Sequence, residues 1–152
     1  MKKYYSYTVI TLLAVVFFAS GTGKLLEPTG AVNALVMAFG ISYTASKLLV
    51  FLLSNGEIAL AVLALTKRFR AIAMKAMAAT LAMFLIFLVY VKTNGIIMDD
   101  CGCFGGLLKR MIPEAIMDEI ILVVFCIGYF IIQKRNADTA NSMFTKKLSQ
   151  IS

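Results

Sequence analysis

The chain has 152 residues, 61% of them hydrophobic, and a mean hydropathy of +0.87. Ordinary soluble domains are about half apolar, so this composition excludes a water-soluble fold and requires the lipid bilayer as partner and solvent. A formal net charge of +7 would suit nucleic acid, but the basic residues stand in short clusters beside apolar runs. They do not form the long basic stripe interleaved with aromatics that a nucleic-acid surface needs, so no nucleic-acid partner is expected.

The first apolar run covers about residues 7–23 and is close to the ~20 residues that cross a bilayer. Lys2 and Lys3 before it, with Ala19-Ser20-Gly21 at its end, also fit a secretory signal peptide with a small-residue cleavage site. Cleavage there would leave three spans in unchanged orientation. Residues 31–41 are apolar but too short to cross, and predict a short interfacial or re-entrant helix. The second span covers about 46–65 and the third about 71–91. The fourth, about 115–132, has Asp118 and Glu119 in its first turn, which places that end near water. Pro113 suits the start of this helix, and Glu114, Asp118 and Glu119 oppose the positive end of its dipole. Residues 136–152 are polar and lack helical apolar periodicity, as expected of a mobile cytoplasmic tail. The expected architecture is therefore all-α: an integral membrane four-helix bundle over residues 1–135, a short helix between spans one and two, and a polar tail. The nine Met residues are read as gap-filling packing.

Orientation follows from the loops, because positively charged ones resist translocation. Lys2 and Lys3 precede span one; Lys67, Arg68, Arg70 and Lys75 lie at the turn between spans two and three; Lys134, Arg135, Lys146 and Lys147 follow span four. The segment from 92 to 119 has Lys92, Lys109 and Arg110 against Asp99, Asp100, Glu114, Asp118 and Glu119. Both termini are expected in the cytoplasm of a cell-membrane protein, with the segment between spans three and four outside.

That outward segment contains Asp99-Asp100-Cys101-Gly102-Cys103-Phe104-Gly105-Gly106. Thiols in an oxidising compartment seldom stay reduced. Cysteines two apart can just satisfy disulfide distances, and Gly102 permits the sharp backbone of so small a ring. Such a bond is strained and more easily attacked than a structural one, which suits thiol–disulfide exchange. A pair of structural or passively oxidised cysteines at a turn is the alternative. Asp99 and Asp100 act against thiolate formation at Cys101 by their charge. A zinc site would need Asp99 or Asp100 to complete its ligands, since the chain has no His and Cys126 lies deep in span four; no metal is assigned, and Cys126 reads as a small apolar core residue.

Two ionisable residues stand at membrane depth: Lys24 at the outer end of span one and Glu57 about halfway along span two. Charge in lipid is costly and marks either pairing or function. The long stem of Lys24 can bend toward Glu57, and the pair would either lock two helices together, with Ser54 and Asn55 adding interhelical hydrogen bonds, or exchange protons in a redox step or with a quinone-like head group.

Three parts of the sequence together carry a family likeness: Phe18-Ala-Ser-Gly-Thr-Gly-Lys24-Leu-Leu-Glu-Pro28, then Glu57 followed by Ala59-Leu-Ala-Val-Leu63, then Asp100-Cys-Gly-Cys-Phe-Gly105. In these the chain resembles the MauE/DoxX family of four-helix redox-associated membrane proteins over nearly all its length up to Lys134. The resemblance implies electron transfer or disulfide formation outside the cytoplasm, beside a thioredoxin-like or disulfide-containing partner, as in maturation of the disulfide-rich small subunit of methylamine dehydrogenase. DoxX-like relatives linked to thiosulfate:quinone oxidoreductases make quinone the candidate cofactor. The reading that follows is a membrane component of an extracytoplasmic thiol–disulfide pathway, with Cys101 and Cys103 as the exchanging pair, Asp100, Gly102, Phe104 and Gly105 as the supporting loop, and Lys24 and Glu57 as the intramembrane polar pair. A non-enzymatic anchor or assembly subunit, or a quinone-linked oxidoreductase subunit, is the alternative. A solute transporter is disfavoured because the sequence has no internal repeat or paired broken helices.

Overall fold

The computed structural model describes the backbone of residues 2–96 and 112–149 and the side chains of residues 5–96 and 112–135. Within these the chain is all-helical: α1 (Lys2–Leu26), α2 (Thr29–Phe39), α3 (Tyr43–Leu65), α4 (Arg70–Thr93) and α5 (Ile112–Ser149). Four stretches are long and apolar enough to cross a membrane: Tyr5–Leu26, Tyr43–Leu65, Arg70–Thr93 and Ile112–Arg135. At ~1.5 Å per residue each of these is roughly 33–36 Å long, enough for the ~30 Å hydrocarbon core.

Local chemistry sets the ends. α2 stops where Gly40 takes φ +65° and its N–H bonds the carbonyl of Val36 at 2.8 Å, a left-handed cap that glycine adopts without strain. Two residues later Ser42 opens α3, its Oγ accepting from the Ala45 N–H at 3.4 Å. α3 therefore begins three residues before the apolar run that identified it.

The spans close a ring in the order α1, α3, α4, α5 and back to α1, and α2 packs against α3. Val9, Leu13 and Phe17 from α1, Ala61 and Ala64 from α3, Met74, Met77 and Leu81 from α4, and Cys126 and Tyr129 from α5 form the main core. Met74 and Met77 are fully buried, so methionine here does fill the centre of the bundle. The opposite faces carry exposed Val15, Phe18, Leu48, Leu52, Ile72, Ile86, Val124 and Ile127. In water those faces would be a liability; in a bilayer they are the lipid contact, and helix association depends on packing and polar contacts inside.

α5 continues as helix through Ser149, into the polar stretch expected as a cytoplasmic tail. Residues 136–149 contain no Gly or Pro to stop it. At about 57 Å this helix is longer than the bilayer. One sequence expectation is corrected: among the described residues Ser54 and Asn55 make no interhelical bonds of the kind foreseen; each donates to its own helix, Ser54 Oγ to the Val50 carbonyl and Asn55 Nδ2 to the Phe51 carbonyl, both at 2.7 Å. Bonding back to the i−4 carbonyl satisfies a hydroxyl or amide in a helix without any partner from outside.

Candidate functional site: a buried polar cluster

Gly21 lets α1 and α3 approach closely. A Cβ at that position would stand 2.7 Å from the Ser54 carbonyl oxygen and 2.8 Å from Ile58 Cγ1, distances that no side chain tolerates, so only glycine permits this crossing. The small residues that resemble a cleavage site thus make a helix contact in the full chain. Ser20 and Lys24, one turn apart, share the face beside this crossing.

Lys24 and Glu57 meet there. Lys24 Nζ donates to Glu57 Oε1 at 2.6 Å and to Ser20 Oγ at 2.9 Å, and Ser20 Oγ donates to Glu57 Oε2 at 3.0 Å. The three side chains form a closed triangle in which both carboxylate oxygens are occupied. Lys24 is 3% and Glu57 6% exposed, so neither charge is compensated by water. The ammonium also lies 5.6 Å from the centroid of the Phe84 ring on α4, within cation–π range.

The cluster has a third ionisable member that the sequence reading put near water. Glu119 of α5 is buried, 8% exposed, and lines a cavity of about 40 Å³ together with Ser20, Lys24, Glu57, Thr80 and Phe84. Glu119 stands seven residues after the start of α5, roughly 10 Å along the axis. Its position could have been found from periodicity: Ala115, Glu119, Leu122, Cys126 and Tyr129 make one stripe of α5, and the fully buried residues of the described part of that helix lie on it. Ser20 is similarly legible as the residue one turn before Lys24; Thr80 has no such signature.

A second, apolar cavity of about 260 Å³ lies between α2, α3 and α4, lined by Ala34, Leu35, Phe39, Leu53, Met83, Phe84 and Phe87, with Lys24 as its charged member. Phe39 stacks on Tyr90 at 6.0 Å and tilts against Phe87 at 5.8 Å. Lys24 and Phe84 line both cavities.

Cys126 is 3% exposed within the main core, the apolar role expected of it. Cys101, Cys103, Asp100, Gly102, Phe104 and Gly105 lie outside the described residues, as do Asp99, Lys109 and Arg110. Among the described residues no cluster of His, Cys, Asp or Glu suited to a metal ion occurs.

The family described as Methylamine utilisation protein MauE matches residues 2–132. No curated protein and no solved structure matches the chain.

Proposed function

Because the chain belongs to the MauE family over residues 2–132 and carries four candidate membrane spans, we propose that it is the membrane component of an extracytoplasmic thiol–disulfide pathway. In this reading both termini face the cytoplasm, the segment between α4 and α5 faces out, and Cys101 and Cys103 exchange electrons with a thioredoxin-like or disulfide-containing protein. The observation that carries it is the contrast among the three cysteines. Cys126 is sealed in the core, whereas Cys101-Gly102-Cys103 stand in the sequence between two spans, with the glycine spacing that permits a labile ring.

The exchange balances without a further reagent. A thiolate of one protein attacks the disulfide of the other, a mixed disulfide forms, and the second thiol of the attacking pair displaces it. Two electrons and two protons pass from the dithiol that becomes a disulfide to the disulfide that becomes a dithiol. With one further cysteine, buried and distant in sequence, the chain has no second pair for an internal relay, so the partner supplies the other half of the reaction.

A second reading, a quinone-linked subunit, is favoured by the apolar cavity beside Lys24. Its lining by Phe39, Met83, Phe84 and Phe87, with Lys24 as the charged member, is the chemistry that suits a flat, uncharged ring with a hydrogen-bonding oxygen. When bound, such a group accepts two electrons and two protons.

Replacing the resolving cysteine tests the leading reading. Cys101→Ser and Cys103→Ser, made singly in cells, are expected to differ: one accumulates a mixed disulfide with a partner, visible as a band lost on reduction, and the double variant does not. A membrane-impermeant thiol reagent should label the reduced pair in intact cells. Labelling confined to lysed cells, or full function in both single variants and the double variant with the bundle intact, would overturn the proposal.

A further inference from the structure

The buried cluster contains one ammonium and two carboxyls. Lys24 and Glu57 satisfy each other at 2.6 Å. Glu119, 92% buried, accepts no hydrogen bond among the described residues, and it lines the same cavity. A carboxylate left there without a hydrogen-bond partner, in a protein interior surrounded by lipid, would be an uncompensated charge of the kind membranes do not tolerate cheaply. The cluster is electrically neutral only with one further positive charge beyond Lys24.

The size and chemistry of the cavity identify it. At about 40 Å³ the space suits roughly one to three waters and no organic cation. A metal ion would have to sit against the Lys24 ammonium, which already occupies Glu57 and Ser20. A proton meets neither obstacle, and the hydroxyls of Ser20 and Thr80 on the cavity wall can hydrogen-bond the water that carries it. The charged and titratable groups facing Glu119 are Lys24 from α1, Glu57 from α3 and Asp118 from its own helix, while α4 contributes only the uncharged Thr80.

We propose that Lys24, Glu57 and Glu119 form a proton-binding site inside the bundle, holding one exchangeable proton beyond the Lys24–Glu57 ion pair. The occupancy equals the number of carboxyls minus the number of ammonium groups: one in the native chain, none when either acid is replaced by its amide, two when the lysine is made apolar. This count is independent of what Cys101 and Cys103 do. A site of this kind gives the bundle a means of taking up or releasing a proton away from bulk water.

Infrared spectroscopy of the full chain in lipid nanodiscs reads the count directly, because a neutral carboxylic acid has a carbonyl stretch separate from that of a carboxylate. At neutral pH the native chain is expected to show one acid equivalent that shifts in D2O. Glu119→Gln and Glu57→Gln should each abolish it, Lys24→Met should double it, and Glu114→Gln, at an exposed position, should leave it unchanged. Glu119→Asp keeps the acid on a stem one methylene shorter and should move the band, which guards against loss through misfolding of the amide variants; helical circular dichroism confirms insertion in each case. A band that persists in Glu57→Gln would assign the proton to Glu119 alone and overturn the shared site. Absence of the band in the folded native chain, its failure to shift in D2O, or an unmoved band in Glu119→Asp would overturn the proposal outright.

Discussion

Replacing Lys24 by Met strands Glu57 and Glu119 in the interior, and the cost can be worked from the geometry. At 2.6 Å the direct attraction between Lys24 and Glu57 is about 6 kcal/mol at an effective dielectric of about 20. Desolvating two ions costs several kcal/mol each, so the pair's net contribution is small, but breaking it by removing one partner typically costs about 3–5 kcal/mol. Lys24→Met is expected to destabilise by that amount. Glu57→Gln should be milder, because Glu119 lines the same cavity and supplies a replacement carboxylate for Lys24. The double change leaves no orphaned ammonium and loses mainly hydrogen bonds, for a total of about 1–3 kcal/mol. At the midpoints of these ranges, about 2 kcal/mol for the double change against about 4 for Lys24→Met alone, the coupling energy is about 2 kcal/mol even before the cost of Glu57→Gln is counted, outside the roughly 0.5 kcal/mol scatter of independent sites. Unfolding of the purified protein in mixed micelles with rising sodium dodecyl sulfate, followed by helical circular dichroism, measures the four stabilities. Additivity of the two single changes would refute the reasoning, since it would mean that Lys24 and Glu57 do not depend on one another in the folded bundle.

Gly21→Leu is expected to destabilise the bundle by more than Gly21→Ala, each by about 1–3 kcal/mol or above, because a Cβ already collides with the α3 backbone; equal stability of all three chains in the same unfolding assay would show that α1 and α3 are not in contact there. Cys126 should resist thiol reagents in the folded protein and react at the ordinary rate once unfolded, as its 3% exposure requires, and rapid labelling in a Cys101→Ser/Cys103→Ser background would contradict its burial.

The residues differ in how far their roles were readable before folding. Lys24 and Glu57 stand out in any hydropathy trace because charge within an apolar run has few explanations, and the length of the Lys24 stem made their meeting foreseeable. Glu119 was hidden for the opposite reason: close behind Pro113 and beside Asp118, it read as part of the acidic N-terminal turn of a helix rather than as an intramembrane group. Ser54 and Asn55 misled because a polar side chain in a span has two ways of satisfying itself, and the bond to its own i−4 carbonyl is invisible in sequence.

Hydropathy and length by themselves determined that the chain is a multi-span helical membrane protein, because lipid leaves every backbone polar group to be satisfied within its own helix and so converts each long apolar run into one crossing. Pro113 likewise announced the start of the last helix through local backbone chemistry alone, whereas the caps at Gly40 and Ser42 emerged only from the structure. Only the tertiary structure decided which face of each helix turns inward, and with it that Ser20, Lys24, Glu57, Thr80 and Glu119, drawn from four helices, share one cavity. Between helices there is no hydrophobic drive in lipid to make that choice predictable; it rests on close approach at residues such as Gly21 and on the need of buried charges for partners, both of which exist only once the helices are side by side.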